Sequence, residues 1–378
     1  MQRTSVAALV AVTGLMLMAH PVAALPPGYT TTEIPSGVYI YECDLNNQGY
    51  LAGFQSSYPN DDAAVIWSPD DGLTVLPGLI GESRAMQVND LGQVRCSDDG
   101  GHCIWRPSTG RVAVNLPYNF STNDLNNQGR LLCTQNGTGT SNTWVWDADT
   151  GLQQVTIHGS DRVFSWDFNN QGAIAGRYSG VTQKGGFRLD ADGTLYEIDL
   201  PASQPDANYV GCYGINDSGT VMLEVGLDGG ARLPGIWTPE AGYTLIDVPA
   251  GLSGLSAKQI SNEGVVALNG TALVGPSLGY LWTEASGLVG LTPLVTDLPD
   301  DDYVIRQIYS VGDGGHVYCQ RSRYNPATRQ YTSSQRVVLT PVPEPATVGL
   351  VALGLSAMIV RRRRGASLRR WRAGRRSV

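Results

Sequence analysis

Asn46-Asn47-Gln48-Gly49 is the stretch from which the fold can be read, because it returns. It comes back as Asn89-Asp90-Leu91-Gly92, Asn126-Asn127-Gln128-Gly129, Asn169-Asn170-Gln171-Gly172, Asn216-Asp217-Ser218-Gly219 and Asn262-Glu263-Gly264. A weaker copy is Gly312-Asp313-Gly314-Gly315. Between the last glycines the steps are 43, 37, 43, 47, 45 and 51 residues. Their mean, about 44, lies in the period range of a four-stranded propeller blade. Asn, Asp and Gly tolerate the left-handed backbone of a tight turn, so each copy marks a reversal between two strands.

A second marker keeps phase with the first. Trp-x-x-x-x-Gly occurs as Trp67/Gly72, Trp105/Gly110, Trp146/Gly151, Trp237/Gly242 and Trp282/Gly287. Unit four has Leu189 and Gly193 instead, and unit seven only Leu339. In unit two the pattern predicts strands at Arg84–Val88, Gln93–Cys96, His102–Trp105 and Arg111–Leu116. Each Trp is expected to fill the gap between neighbouring sheets, where a large flat side chain is useful. The repeat glycines Gly49, Gly92, Gly129, Gly172, Gly219 and Gly264 are turn formers.

Unit seven offers strands around Val304–Tyr309, His316–Gln320 and Gln335–Leu339 but no fourth. The missing strand is matched by Gly28-Tyr29-Thr30-Thr31-Thr32-Glu33-Ile34-Pro35, which resembles the fourth strand Gly242–Pro249. The expectation is an all-β, seven-bladed β-propeller over residues 25–340, its last blade closed by the N-terminal strand so that no edge stays open.

Both ends of the chain read as export signals. Met1 to Ala24 has an early cation (Arg3), an apolar core from Val6 to Met18 and a small-residue finish at Val22-Ala23-Ala24. That is the pattern of a secretory signal peptide cut after Ala24. At the other end, residues 341–378 hold Val342-Pro343-Glu344-Pro345, an apolar run from Ala346 to Val360, and Arg361-Arg362-Arg363-Arg364. As a helix the run would span roughly 22 Å, short of the ~30 Å hydrocarbon core, which suits a transient transmembrane sorting helix. The arginines stop transfer and hold the tail in the cytoplasm.

This tripartite end resembles the PEP-CTERM sorting signal of Gram-negative bacteria. The resemblance implies recognition and cleavage by an exosortase, an inner-membrane intermediate, and delivery to the cell surface or beyond. The repeats are similar to extracellular HAF-type repeats, with units like "Ala-x-x-Ile-Asn-Asp-x-Gly" followed by "Ala-x-x-Trp" and "Gly-x-x-x-Leu". That likeness covers most of residues 43–291 and implies an exported repeat domain with no particular reaction.

Removing the ends changes the charge. Nine of the 26 Lys and Arg lie in 361–376 and one is Arg3, leaving 16 against 33 acidic residues in 26–340, a balance of about −17. Such a domain lacks the basic stripe that nucleic acid requires. High acidity keeps an exported protein soluble.

Chemistry is sparse. Cys96 and Cys103 flank a hairpin and form a candidate disulfide, since an exported domain permits one. Cys96, Cys133 and Cys319 each fall four residues after a unit glycine, at a small buried strand position. The mature histidines, His102, His158 and His316, sit in or beside turns and in no catalytic motif. The acidic turns Asp147-Ala148-Asp149 and Asp190-Ala191-Asp192 lack the downstream Glu of a calcium loop. Asp297, Asp300, Asp301 and Asp302 are denser and stand as a candidate weak calcium site; no other cofactor is expected. The reading is a surface-sorted, non-catalytic interaction or structural protein, its partners being signal peptidase, exosortase, the membrane before processing, and extracellular polysaccharide. The alternative is a polysaccharide hydrolase or lyase using acids gathered at the propeller mouth.

Overall fold

The computed structural model describes residues 24–40, 45–57, 61–137, 142–157, 160–180 and 184–343. Residues 1–23 of the signal-peptide pattern, Cys43, His158, Glu344, Pro345, the apolar run 346–360 and Arg361, Arg362, Arg363 and Arg364 lie outside the described residues. Among the described residues regular structure is strand, apart from a short 3-10 turn at Thr292–Leu294. No described helix is long and apolar enough to cross a membrane.

Each sequence unit folds as an antiparallel meander. Unit two consists of Ser83–Val88, Val94–Asp98, Gly101–Arg106 and Gly110–Ala113, hydrogen-bonded in chain order. The first three strands lie close to the expected positions. The fourth is shorter than expected, ending at Ala113, although the Val114 N–H still donates to the His102 carbonyl oxygen at 2.9 Å and its side chain is buried. Residues 38–75, 120–154, 162–198, 207–245 and 252–290 repeat the same strand order. A parallel bridge between Asn142 and Val163 joins units three and four into one larger sheet.

The final sheet draws on both ends of the described chain. Its order is Tyr29–Glu33, Gln330–Pro341, Val317–Asn325, Tyr303–Val311. The N-terminal strand pairs in register from Tyr29 opposite Pro341 to Glu33 opposite Val337. Two strands of this sheet run longer than the sequence suggests, because the hairpin continues to a turn between Asn325 and Gln330. Arg329 there takes a left-handed φ of 56°. Cross-strand pairs continue from Gln320 opposite Arg336 to Asn325 opposite Gln330, with one register shift at Tyr324.

Apolar clusters lie between consecutive units, and the marker side chains sit in them. Trp67 packs with Ile40 and Leu51 of unit one and Tyr318 and Val338 of unit seven. Trp105 lies against the cluster of units one and two, Trp146 in that of units two and three, Trp237 against that of four and five, and Trp282 in that of five and six. Where Trp is missing, Leu189 packs against the cluster of units three and four, and Leu339 joins that of six and seven. Every marker thus meets the preceding unit, and unit one meets unit seven.

The first strands of units two to seven also carry a recurring register shift just before the turn, for example between Ala85 and Gln87, Thr122 and Asp124, and Ser165 and Asp167. Such a bulge inserts an extra residue and re-aims the side chain that follows it. The residue so turned is polar in units two, three, four, six and seven, and is Gly214 in unit five.

Tyr29 is only 1% exposed, and its ring sits in the cluster of units six and seven. Tyr29→Ala should therefore lower the unfolding free energy by about 3 kcal/mol or more. Thr30→Ala, on the exposed side of the same strand, should stay within about 0.5 kcal/mol. Urea denaturation of the two variants measures the difference.

Candidate functional site

Repeated turns meet at one end of the strands, and their asparagines are bonded to one another. The turn glycines take left-handed φ angles, among them 79° at Gly49, 70° at Gly92 and 82° at Gly172, which explains why glycine closes each copy. The first Asn of a turn works in two directions. Asn169 Oδ1 accepts from the backbone N–H of Gln171 and Ala173, at 3.0 and 2.8 Å, closing its own turn. Its Nδ2 donates to the carbonyl oxygen of Asn216 in the next unit at 2.8 Å. Asn46, Asn89, Asn126 and Asn216 make the same forward bond.

The second residue of each turn forms a circuit. The backbone N–H of Asn47 donates to Asp90 Oδ1, that of Asp90 to Asn127 Oδ1, and that of Asn127 to Asn170 Oδ1. Asn170 then donates to Asp217, Asp217 to Asn262, and Asn262 to Asp313. The N–H of Asp313 donates to Asn47 Oδ1 at 3.3 Å, which returns the circuit to its first member.

The polar side chains behind the bulges add an inner tier. Asp124 Oδ2 accepts from Phe168 N–H, Asp167 Oδ2 from Ile215 N–H, and Gln259 Oε1 from Val311 N–H. Ser310 Oγ accepts from Leu45 N–H at 2.7 Å, joining unit seven to unit one. Gln87 Nε2 donates to Asp124 Oδ1. This tier was not legible in the sequence, since the residue type changes from unit to unit and only the bulge is shared.

The space enclosed by these turns is a polar cavity of about 120 Å³, below the range of roughly 300–1,000 Å³ in which small-molecule sites fall. Its carboxylates, Asp90, Asp124, Asp167, Asp217 and Asp313, all accept hydrogen bonds from neighbouring units. Burial pushes the Asp313 carboxyl upward, against the hydrogen bonds from Asn262 and Asn47. Burial raises Glu263 as well, with the Asp313 charge adding to it. These carboxylates thus tie neighbouring units together.

The other expected site residues are dispersed. Among the described residues no group of three or more His, Cys, Asp or Glu is placed to hold a metal ion. Asp297 accepts from the Thr31 N–H and hydroxyl, while Asp300 and Asp302 face Arg323 at 3.4 and 3.2 Å; Asp301 lies in the neighbouring turn. Cys96 and Cys103 are directly opposite in the ladder, as expected, but both are buried free thiols. The Cys96 thiol donates to the Cys103 carbonyl oxygen at 3.3 Å. Cys133 and Cys212, whose thiols burial pushes up to about 12, are equally inert.

At the opposite end of the strands a second cavity of about 290 Å³ opens between units four and five. Arg177 dominates it. Its guanidinium carbon lies 5.1 Å from the ring centre of Phe164, 5.3 Å from Trp166 and 5.6 Å from Tyr209. Arg177 Nη1 donates to Tyr209 Oη at 3.2 Å, and Nε is buried without a hydrogen-bond partner. Arg162, Ser179 and Asn208 also line the cavity. None of these residues belongs to a repeat marker, so periodicity could not single them out.

The PEP-CTERM protein-sorting motif matches residues 341–364, which marks the protein for export toward the cell surface. The match lies wholly after the repeats, so their likeness to HAF-type repeats rests on the sequence pattern alone. No curated protein matches the chain. Among solved structures, TolB from Acinetobacter baumannii is 12% identical over 78% of this chain and 64% of its own, with a TM-score of 0.38. The match thus spans less than two thirds of the TolB chain. The β-propeller domain of the Trilobed protease from Pyrococcus furiosus is 12% identical over 80% of this chain and 98% of its own, TM-score 0.46. Virginiamycin B lyase from Staphylococcus aureus is 11% identical over 84% and 89%, TM-score 0.33. The architecture is all-β, with propeller-like neighbours.

Two outcomes test this arrangement. Asn169→Ala removes a turn closure and a link between units, and should cost about 1–3 kcal/mol for the groups left unsatisfied, read by chemical denaturation. His316 lies against the Gly49 turn, within 3.4 Å of where a Cβ on Gly49 would stand, and burial lowers its pKa from 6.5, opposed by the Asp70 charge. The fold therefore favours the neutral ring: its contribution is complete above pH 6.5 and is lost as pH falls below that value. Thermal melts of His316→Gln between pH 7 and 5 should lose less stability than those of the parent.

Proposed function

We propose that the chain is a seven-bladed β-propeller that acts, without catalysis, as a binding or structural component of the cell envelope or extracellular matrix. Signal peptidase removes residues 1–24, and an exosortase processes the chain at the segment beginning with Val342, after a membrane-held stage carried by 346–360. The observation that supports the propeller reading is the turn circuit from Asn47 to Asp313 and back, together with Tyr29–Glu33 completing the last sheet. The non-catalytic reading is supported by the central carboxylates, each engaged with a neighbouring turn. What remains for recognition is the opposite face, where cations without carboxylate partners among the described residues line a cavity of about 290 Å³.

Extracellular polysaccharide is the proposed partner class. The strongly negative domain repels a polymer with acidic units except where it meets cations, and the cavity of units four and five supplies Arg162 and Arg177. Two measurements test the proposal. Protease treatment of intact cells should digest the parent protein and spare a variant lacking residues 342–345, which should stay with the inner membrane. The parent should also be retained on the producing cell's own extracellular polysaccharide. Equal digestion of both variants, or no retention with or without calcium, would overturn the reading.

A further inference from the structure

We infer that the cleft between units four and five is a binding site for a carboxylate-bearing sugar ring, with Arg177 as the group that holds the carboxylate. The inference rests on the surface-binding role proposed above and names the chemistry of its ligand.

The argument begins with an unbalanced charge. The domain has about twice as many acidic as basic residues, yet neither Arg177 nor Arg162 has an ion-pair partner among the described residues, whereas seven other arginines do. Arg162 is exposed, and Arg177 is half-buried. A guanidinium removed from water without a counter-charge is costly. Stacking on Phe164, Trp166 and Tyr209 recovers part of that cost. It also fixes the plane of the fork, so that little freedom is lost when an anion arrives.

The tyrosine side of the cleft stiffens the same group. Tyr209 Oη accepts from Arg177 and lies 2.7 Å from Tyr213 Oη, and the Tyr213 ring packs on Trp166 with 5.0 Å between centroids. Arg177 Nη2 makes no hydrogen bond among the described residues, which leaves a donor for an incoming oxygen. A carboxylate accepts from a guanidinium in the bidentate geometry that makes such pairs strong.

The walls decide what the carboxylate is attached to. Phe164, Tyr178 and Tyr209 offer apolar surface, while Ser179 and Asn208 place a hydroxyl and an amide at the rim. A sugar acid matches that mixture: a ring with one less polar face, several hydroxyls and one negative charge. An aromatic acid would use the walls and the cation but leave the Ser179 hydroxyl idle, while the Asn208 amide already donates to Asp228 at 2.7 Å and keeps its carbonyl oxygen for a sugar hydroxyl. The cavity, about 290 Å³, suits one or two rings at the end or turn of a polymer rather than a long bound stretch.

Titration calorimetry of the full chain with glucuronate, glucose and benzoate tests the assignment. Glucuronate should bind at least tenfold more tightly than either of the others. Arg177→Lys keeps the charge but loses the planar fork, and should weaken glucuronate about tenfold. Arg162→Gln, at an exposed position where folding is unaffected, should weaken it a few-fold and reduce its salt dependence. Glucuronate and glucose binding equally, benzoate matching glucuronate, or glucuronate binding unchanged in both variants would each overturn the inference. Protease accessibility on intact cells reads delivery independently, so failed binding with normal delivery refutes the cleft assignment and leaves surface sorting standing.

Discussion

The structure depends on one kind of bond: an amide or carboxylate at a turn that accepts from the backbone of the turn before it. Separate four-stranded meanders could not hold together by their own ladders, because hydrogen bonds between strands are satisfied mainly within each unit. Their edges meet through side chains. The turn circuit supplies directional contacts at the narrow end, where little apolar area is available, and the apolar clusters supply the larger hydrophobic contribution farther out. Each buried Leu, Ile or Val there contributes roughly 1.5–3 kcal/mol. Asn suits the turn role because a single side chain offers an acceptor and two donors. Asp can replace it where only acceptance is needed, as at Asp90, Asp217 and Asp313.

The circuit is weakest on either side of the last unit. Ser261 is too short to reach forward as the asparagines do, and its hydroxyl bonds instead to Glu263 within its own turn. Gly312 has no side chain, and an added Cβ would come within 3.0 Å of the Asn46 carbonyl oxygen. The closing bond from Asp313 to Asn47 is also the longest of its set at 3.3 Å. Other contacts gather at this junction: Ser310 to Leu45, and the Tyr318 and Val338 side chains beside Trp67. They offset what the turns there lack.

Much of this fold was legible because its signals are local and repeated. Gly92 had to be a turn glycine whatever surrounded it, and Trp67 and Trp282 had to be buried somewhere at a fixed distance from it. The pairing of Tyr29–Glu33 with the far end of the chain was legible for a different reason: a strand was missing from one unit and spare in front of another. The bulge tier was hidden because Gln87, Asp124 and Ser310 share geometry and no chemistry. The cleft was hidden because Arg162, Arg177 and Asn208 come from two units and three strands, at positions where the repeats differ. The acidic run at Asp297 to Asp302 misled in the opposite way. Proximity in sequence suggested a cluster, but Thr31 and Arg323 draw its members to separate partners.

The last sheet also fixes how the described chain leaves the domain. Tyr29 stands opposite Pro341, and the N–H of Val342 donates to the Gly28 carbonyl oxygen at 2.8 Å. Pro341 in turn lies beside Gly315, so both exits emerge at the turn-circuit end of the strands. The Arg177 cleft opens at the other end. An attachment made through either exit would hold the turn-circuit end and leave the Arg177 cleft at the end away from it.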